Sequence, residues 1–126
     1  MIASQVMNRV ATISANITLQ HAAKIMSREG IGSLVLRKNG KAQGIVTERD
    51  IIKNIDRLYK KISTVMAKKL ISVDLDAELE DIAQVMKKNK IKRVLIRGKR
   101  KKIVGIVTAT DLIANADLLN EGLDLF

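Results

Sequence analysis

Gly44-Ile45-Val46-Thr47-Glu48-Arg49-Asp50 returns 61 residues later as Gly105-Ile106-Val107-Thr108-Ala109-Thr110-Asp111. Each copy reads as a strand running into a helix: a β-branched run ends in Thr, and an acid three residues on closes the first helical turn. The rest of the chain follows the same duplication. Val6-Met7 recurs as Val65-Met66, and Ile25-Met26 as Val85-Met86, in unchanged order. The offset drifts only from 59 to 61 residues, which one insertion near Lys68-Lys69 and one in the turn before Gly105 explain. The chain is therefore a tandem repeat, and its fold is the fold of one half built twice.

Upstream of each Gly-Ile-Val-Thr lies a helix. Leu19, Ala22, Ala23 and Met26 are spaced i, i+3, i+4 and i+7, as are Leu79, Ile82, Ala83 and Met86, so each set forms one apolar stripe. Acids in the stretch 78–81 favour a helix N-terminus there. Met26 and Met86, at core spacing, read as packing residues. Ser33 to Leu36 and Val94 to Ile96 then supply a strand, a turn follows, and a second strand ends at the Thr. Asn39-Gly40 suits the positive φ angles of a tight hairpin, whereas Gly98-Lys99-Arg100-Lys101 is a longer turn. The closing helices carry Ile51, Ile52, Ile55 and Leu58 in one copy and Leu112, Ile113 and Ala116 in the other. With Val10 to Ile13 and Leu70 to Val73 as leading strands, each repeat predicts the order β-α-β-β-α. The fold class is thus α/β (α+β), with a short three-stranded sheet and two helices per repeat. The repeats divide at 1–62 and 63–126, related by a pseudo-twofold axis with a cleft between them.

Composition narrows the function. The 126 residues are 47% apolar, with no run long enough to span a bilayer, so no membrane partner is expected. A chain of this length buries a core without disulfides or metal. The absence of cysteine excludes thiolate zinc sites, cysteine nucleophiles and disulfide frameworks. With no secretory pattern at Met1–Gln5, a cytoplasmic location is expected. Tyr59 and Phe126 are the only aromatic residues, too few for base-stacking platforms. The net charge of +10 favours anionic partners of some kind. No nucleophile elbow, phosphate loop or metal-ligand cluster is present, and His21 has no second His or Cys, so it reads as a surface residue and the chain as no enzyme.

The Val-Met starts, the helices Ala22-Ala23-Lys24-Ile25-Met26 and Ile82-Ala83-Gln84-Val85-Met86, and the Gly-Ile-Val-Thr-x-x-Asp segments together resemble a tandem pair of cystathionine-β-synthase (CBS) domains, a Bateman module, over nearly the whole chain. The resemblance implies a small-molecule nucleotide (AMP, ADP, ATP or a related adenosyl compound) bound as a regulatory ligand rather than a catalytic cofactor. It also implies a homodimer of pairs and a regulated partner protein. Asp50 and Asp111 would contact ribose hydroxyls, with Thr47 and Thr108 near ribose or phosphate. The base would sit against Ala11, Thr12, Ile13, Ile31 and Ser33, or against Ile71, Ser72, Val73, Ile91 and Arg93. The chain departs from the family pattern in having no proline: Ser14-Ala15-Asn16 and Ser33-Leu34 stand where the family often has one.

Elementary chemistry agrees with those roles. A helix opening at Glu48 leaves backbone N–H groups unpaired, a setting that suits phosphate, and a carboxylate accepts from both vicinal hydroxyls of a ribose. Arg49 would neutralise phosphate charge, while Thr110 takes its place in the second copy, so the two sites should differ in anion affinity. A purely structural role competes with this: Thr followed by an acid at the third position is a capping box, although Glu or Gln is the usual partner there. Two other functions are open. The basic run Arg97-Gly98-Lys99-Arg100-Lys101-Lys102 would suit a nucleic-acid backbone, without the geometry to read bases. The apolar tail with Leu118, Leu119, Leu123, Leu125 and Phe126 would suit a ligand-free dimerisation scaffold.

Overall fold

The computed structural model describes residues 1–115; Ala116 and the tail from Leu118 to Phe126 lie outside the described residues. The chain runs α1 (Ala3–Val6), β1 (Thr12–Ile13), α2 (Leu19–Glu29), β2 (Ser33–Lys38), β3 (Lys41–Thr47), α3 (Glu48–Lys53), β4 (Ser72–Asp74), α4 (Leu79–Asn89), β5 (Arg93–Arg97), β6 (Ile103–Thr108) and α5 (Ala109–Ala114). Short 3-10 turns at Ile62–Thr64 and Lys99–Lys101 punctuate it. Each repeat has the expected order, and each makes a three-stranded sheet, β1-β2-β3 and β4-β5-β6. In both, the leading strand is parallel to the middle strand and the hairpin is antiparallel. Even the irregularity is duplicated: the register shifts between Leu36 and Arg37, and again between Ile96 and Arg97.

The predicted helical stripes make the cores. In the first unit, Val10–Leu70, the α2 residues Leu19, Ala22 and Met26 are buried with Leu34, Leu36, Val46, Ile51 and Ile62. In the second unit, Met1–Arg9 together with the chain from Ile71 onward, Leu79, Ile82 and Met86 of α4 are buried with Ala3, Val94, Ile96, Val107 and Leu112. Thr18 starts α2 by accepting from the His21 N–H at 3.1 Å, and the His21 side chain is exposed. Gly30 ends that helix at φ 64°, a left-handed position that Lys90 occupies at φ 54° after α4. Asn39 and Gly40 turn the first hairpin with φ of 52° and 76°. Among the described residues no helix is long and apolar enough to cross a membrane.

Two features go beyond the sequence reading. The segment carrying Val6-Met7 packs on the sheet of the second repeat, so that one compact unit joins Met1–Arg9 to the chain from Ile71 onward. Asn8 exchanges backbone hydrogen bonds with Ile106 at 2.9 and 3.0 Å, and Ala3 and Ser4 donate to the Ala77 and Leu75 carbonyls. Ala67 makes the matching pair with Ile45 inside the first unit, at 2.9 and 3.0 Å. The methionine before each pairing residue lies over a glycine. A Cβ on Gly44 would stand 2.6 Å from Met66 Sδ, and one on Gly105 would collide with Met7 Sδ. The Val-Met doublet and the Gly-Ile-Val-Thr stretch are therefore the two sides of one contact, closed within each compact unit.

The closing helices are also shorter than their apolar pattern implies. Each has six residues and buries one position, Ile51 or Leu112. Ile52 and Ile55 are 69% and 66% exposed, and Ile113 is exposed likewise. Asn54 and Asn115 stop them: each side-chain amide donates to the carbonyl of the Asp four residues back, at 2.8 and 2.7 Å.

Candidate ligand site

The residues singled out in the sequence gather at one end of each sheet. Thr47, the last residue of β3, stands opposite Ser33, the first of β2. The chain entering β1 reaches the same end, where the Val35 N–H donates to the Ala11 carbonyl at 2.9 Å. The second unit copies this: Thr108 lies opposite Arg93, and the Leu95 N–H donates to the Ile71 carbonyl at 3.1 Å. Alternation along the strands then sorts the residues. Ala11, Ile13 and Ile31 pack against the first core, and Val73 and Ile91 against the second. Five expected base contacts thus already have a structural role in their own unit. Thr12 is exposed, and Ser33 and Thr47 are half-buried, on the sheet face away from that core. Ser72 is engaged: Arg97 Nη1 donates to its carbonyl at 2.6 Å and its hydroxyl at 2.9 Å, while Arg97 Nε pairs with Asp74 at 3.0 Å. One cation of the basic run is therefore held within the unit.

Both acids close capping boxes, so the structural role foreseen for them is present. Asp50 Oδ2 accepts from the Thr47 N–H at 2.9 Å and from its hydroxyl at 3.2 Å, and the Thr47 hydroxyl accepts loosely from the Asp50 N–H at 3.4 Å. Asp111 Oδ2 repeats the arrangement with Thr108 at 2.8 and 3.0 Å, with the return bond at 3.2 Å. Fewer backbone donors remain than the helix start suggested. The Glu48 N–H donates to the Gly32 carbonyl at 3.1 Å and the Ala109 N–H to the Lys92 carbonyl at 2.9 Å. Arg49 and Thr110 are exposed on the first turns, beside half-buried Asp50 and Asp111.

The carboxylates differ in their remaining oxygen. Among the described residues, the hydrogen bonds to the Asp50 side chain all fall on Oδ2. Asp111 has a further partner, because the Asn8 side-chain amide lies 3.0 Å from both Oδ1 and Oδ2. Sequence reasoning missed Asn8, Asn54 and Asn115. The latter two carried a signal, an Asn four residues after each duplicated Asp. Asn8 carried none, being 103 residues from its partner.

A groove of about 250 Å³ opens in the first unit, lined by Ala23, Met26, Ser27, Ile31, Glu48, Ile51 and Ile52. Of the expected ligand residues only Ile31 borders it, and its wall is largely the apolar flank of α2 and α3.

Comparison with known proteins identifies the architecture. The CBS domain family model matches residues 3–57 and again 62–117, and the chain belongs to this family as a tandem pair. An uncharacterised protein of Methanocaldococcus jannaschii, MJ1232, is 36% identical over 82% of the chain, which spans only 35% of that relative's length. The CBS domain-containing protein YhcV of Bacillus subtilis is 33% identical, over 85% of the chain and 79% of its own length. Among solved structures, the CBS domain pair of protein MJ0100 in complex with 5'-methylthioadenosine and S-adenosyl-L-methionine superposes with a TM-score of 0.86. It is 27% identical and covers 95% of this chain and 98% of its own.

Proposed function

We propose that this chain is a non-catalytic regulatory module that binds an adenosyl compound, drawn from AMP, ADP, ATP and S-adenosylmethionine, at the Thr-x-x-Asp ends of its sheets. The observation that carries the reading is the duplicated acid at a sheet end. Asp50 uses one oxygen to start α3, and among the described residues the other accepts no hydrogen bond; a ribose diol is a donor of the right kind for it. A CBS pair 27% identical to this chain holds two adenosyl ligands, which supports the class. Ser33, Thr12 and Thr47 would line one site; Ser72, Arg93 and Thr108 the other. Exposed Arg49 would favour a phosphate-bearing ligand at the first. The module acts by population shift: ligand favours one state, and a partner protein reads it. A homodimer in the cytoplasm is the assembly this reading implies, with 1–62 and 63–126 as its repeats.

Isothermal titration with AMP, ATP and S-adenosylmethionine tests the proposal. Asp50→Asn and Asp111→Asn keep side-chain size but remove one acceptor, and each should weaken its own site by about tenfold or more, as expected for hydrogen bonds to a charged group. Unchanged affinity in both variants would refute it.

A further inference from the structure

Asn8 and Ala67 occupy equivalent places. Each follows the methionine that covers a glycine, and each pairs its backbone with the Ile two residues before the site Thr, Asn8 with Ile106 and Ala67 with Ile45. Only one of them carries a side chain able to reach the acid. The Asn8 amide spans both Asp111 oxygens at 3.0 Å. Oδ2 already takes the Thr108 N–H and hydroxyl, so neither oxygen of Asp111 is left without a donor. The Ala67 methyl offers Asp50 no donor, and among the described residues Oδ1 of Asp50 accepts no hydrogen bond.

We infer that Asn8 is an internal competitor for the diol-binding position, and that the chain fills its Asp50 site first and its Asp111 site only after Asn8 is displaced. This inference rests on the adenosyl-binding proposal above. An Asn amide presents two N–H donors, the same number a vicinal diol presents to a carboxylate. A ligand reaching Asp111 must break that pairing, whereas at Asp50 it loses nothing. The selectivity comes from residues 1–9, a segment outside the Thr-x-x-Asp motif, so two sites with the same motif differ in affinity. Asn8 is a specificity-determining residue whose removal equalises the sites.

Two experiments on the full chain separate this inference from the reading beneath it. Without ligand, Asn8→Ala should lower the melting temperature in the wild-type background and not in an Asp111→Ala background; equal shifts in both overturn the clasp. With AMP and S-adenosylmethionine as titrants, the tight site should vanish in Asp50→Asn and persist in Asp111→Asn. Asn8→Ala should then strengthen the second site by about tenfold, and Ala67→Asn should weaken the first by a similar factor. A second site unchanged or weakened in Asn8→Ala, with the first still binding, overturns the inference alone. Failure of either titrant to bind any variant, with the ligand-free coupling intact, overturns the adenosyl reading and this inference with it.

Discussion

Replacing Gly105 by Ala tests whether the Val-Met doublet and the Gly-Ile-Val-Thr stretch form one contact. Gly105 does not have a positive φ, so a Cβ brings no backbone strain, and the lower entropy of the unfolded chain alone would make Ala stabilising by about 0.4–1 kcal/mol. Packing reverses the sign. The new methyl would lie 2.9 Å from Met7 Cγ and 3.1 Å from Met7 Cβ, against about 3.5–4.0 Å for carbons in contact. The Met7 sulfur can rotate away, but its Cγ is held close because the Cβ that carries it is fixed by the adjoining Asn8–Ile106 pairing. Overpacking of this kind costs about 1–3 kcal/mol, so the net loss centres on about 1.3 kcal/mol, a fall in melting temperature of roughly 5 °C. Thermal and urea unfolding followed by circular dichroism measure it. Adding Met7→Ala removes Sδ and Cγ, so the double variant should lose less than the two single losses summed. At Gly44 the matching rescue by Met66→Ala should be weaker, because the Ala67 carbonyl oxygen, 2.9 Å from where the added methyl would stand, is backbone and cannot be truncated. Gly105→Ala at or above wild-type stability, or strictly additive losses, would show that the methionine does not seat on this glycine.

Lys90 holds φ 54° where the first repeat has Gly30 at 64°. Lys90→Gly should therefore raise stability, by roughly 0.5–1 kcal/mol, and Gly30→Ala should lower it, both readable from urea midpoints. A destabilised Lys90→Gly would contradict the strain argument. Ile82, fully buried, should cost about 2–5 kcal/mol as Ala, while exposed Ile52 should stay within about 0.5 kcal/mol in dilute monomer. A large loss at Ile52 in that state would mean its side chain is covered after all.

The fold was legible because its evidence is local and doubled. The stripes of α2 and α4, the Asn39-Gly40 turn and the β-branched runs each satisfy one backbone period, and a second copy in register makes coincidence a poor account of any of them. The reach of the closing helices was not legible. Ile52, Ile55 and Ile113 fit an apolar helix pattern, but Asn54 and Asn115 compete for the backbone of the preceding turn, and a six-residue helix has room for one inward position. The placement of residues 1–9 was hidden for a different reason. Periodicity reports which face a residue takes, not which repeat it joins, and Val6-Met7 matches Val65-Met66 whichever sheet it covers. The same limit applies to the site. Thr47-x-x-Asp50 and Thr108-x-x-Asp111 are indistinguishable as motifs and make the same cap; what separates them is a residue that meets the second acid only through the fold. Duplication supplied two equal carboxylates, and the difference in affinity proposed for them rests on their unequal neighbours, Asn8 and Ala67.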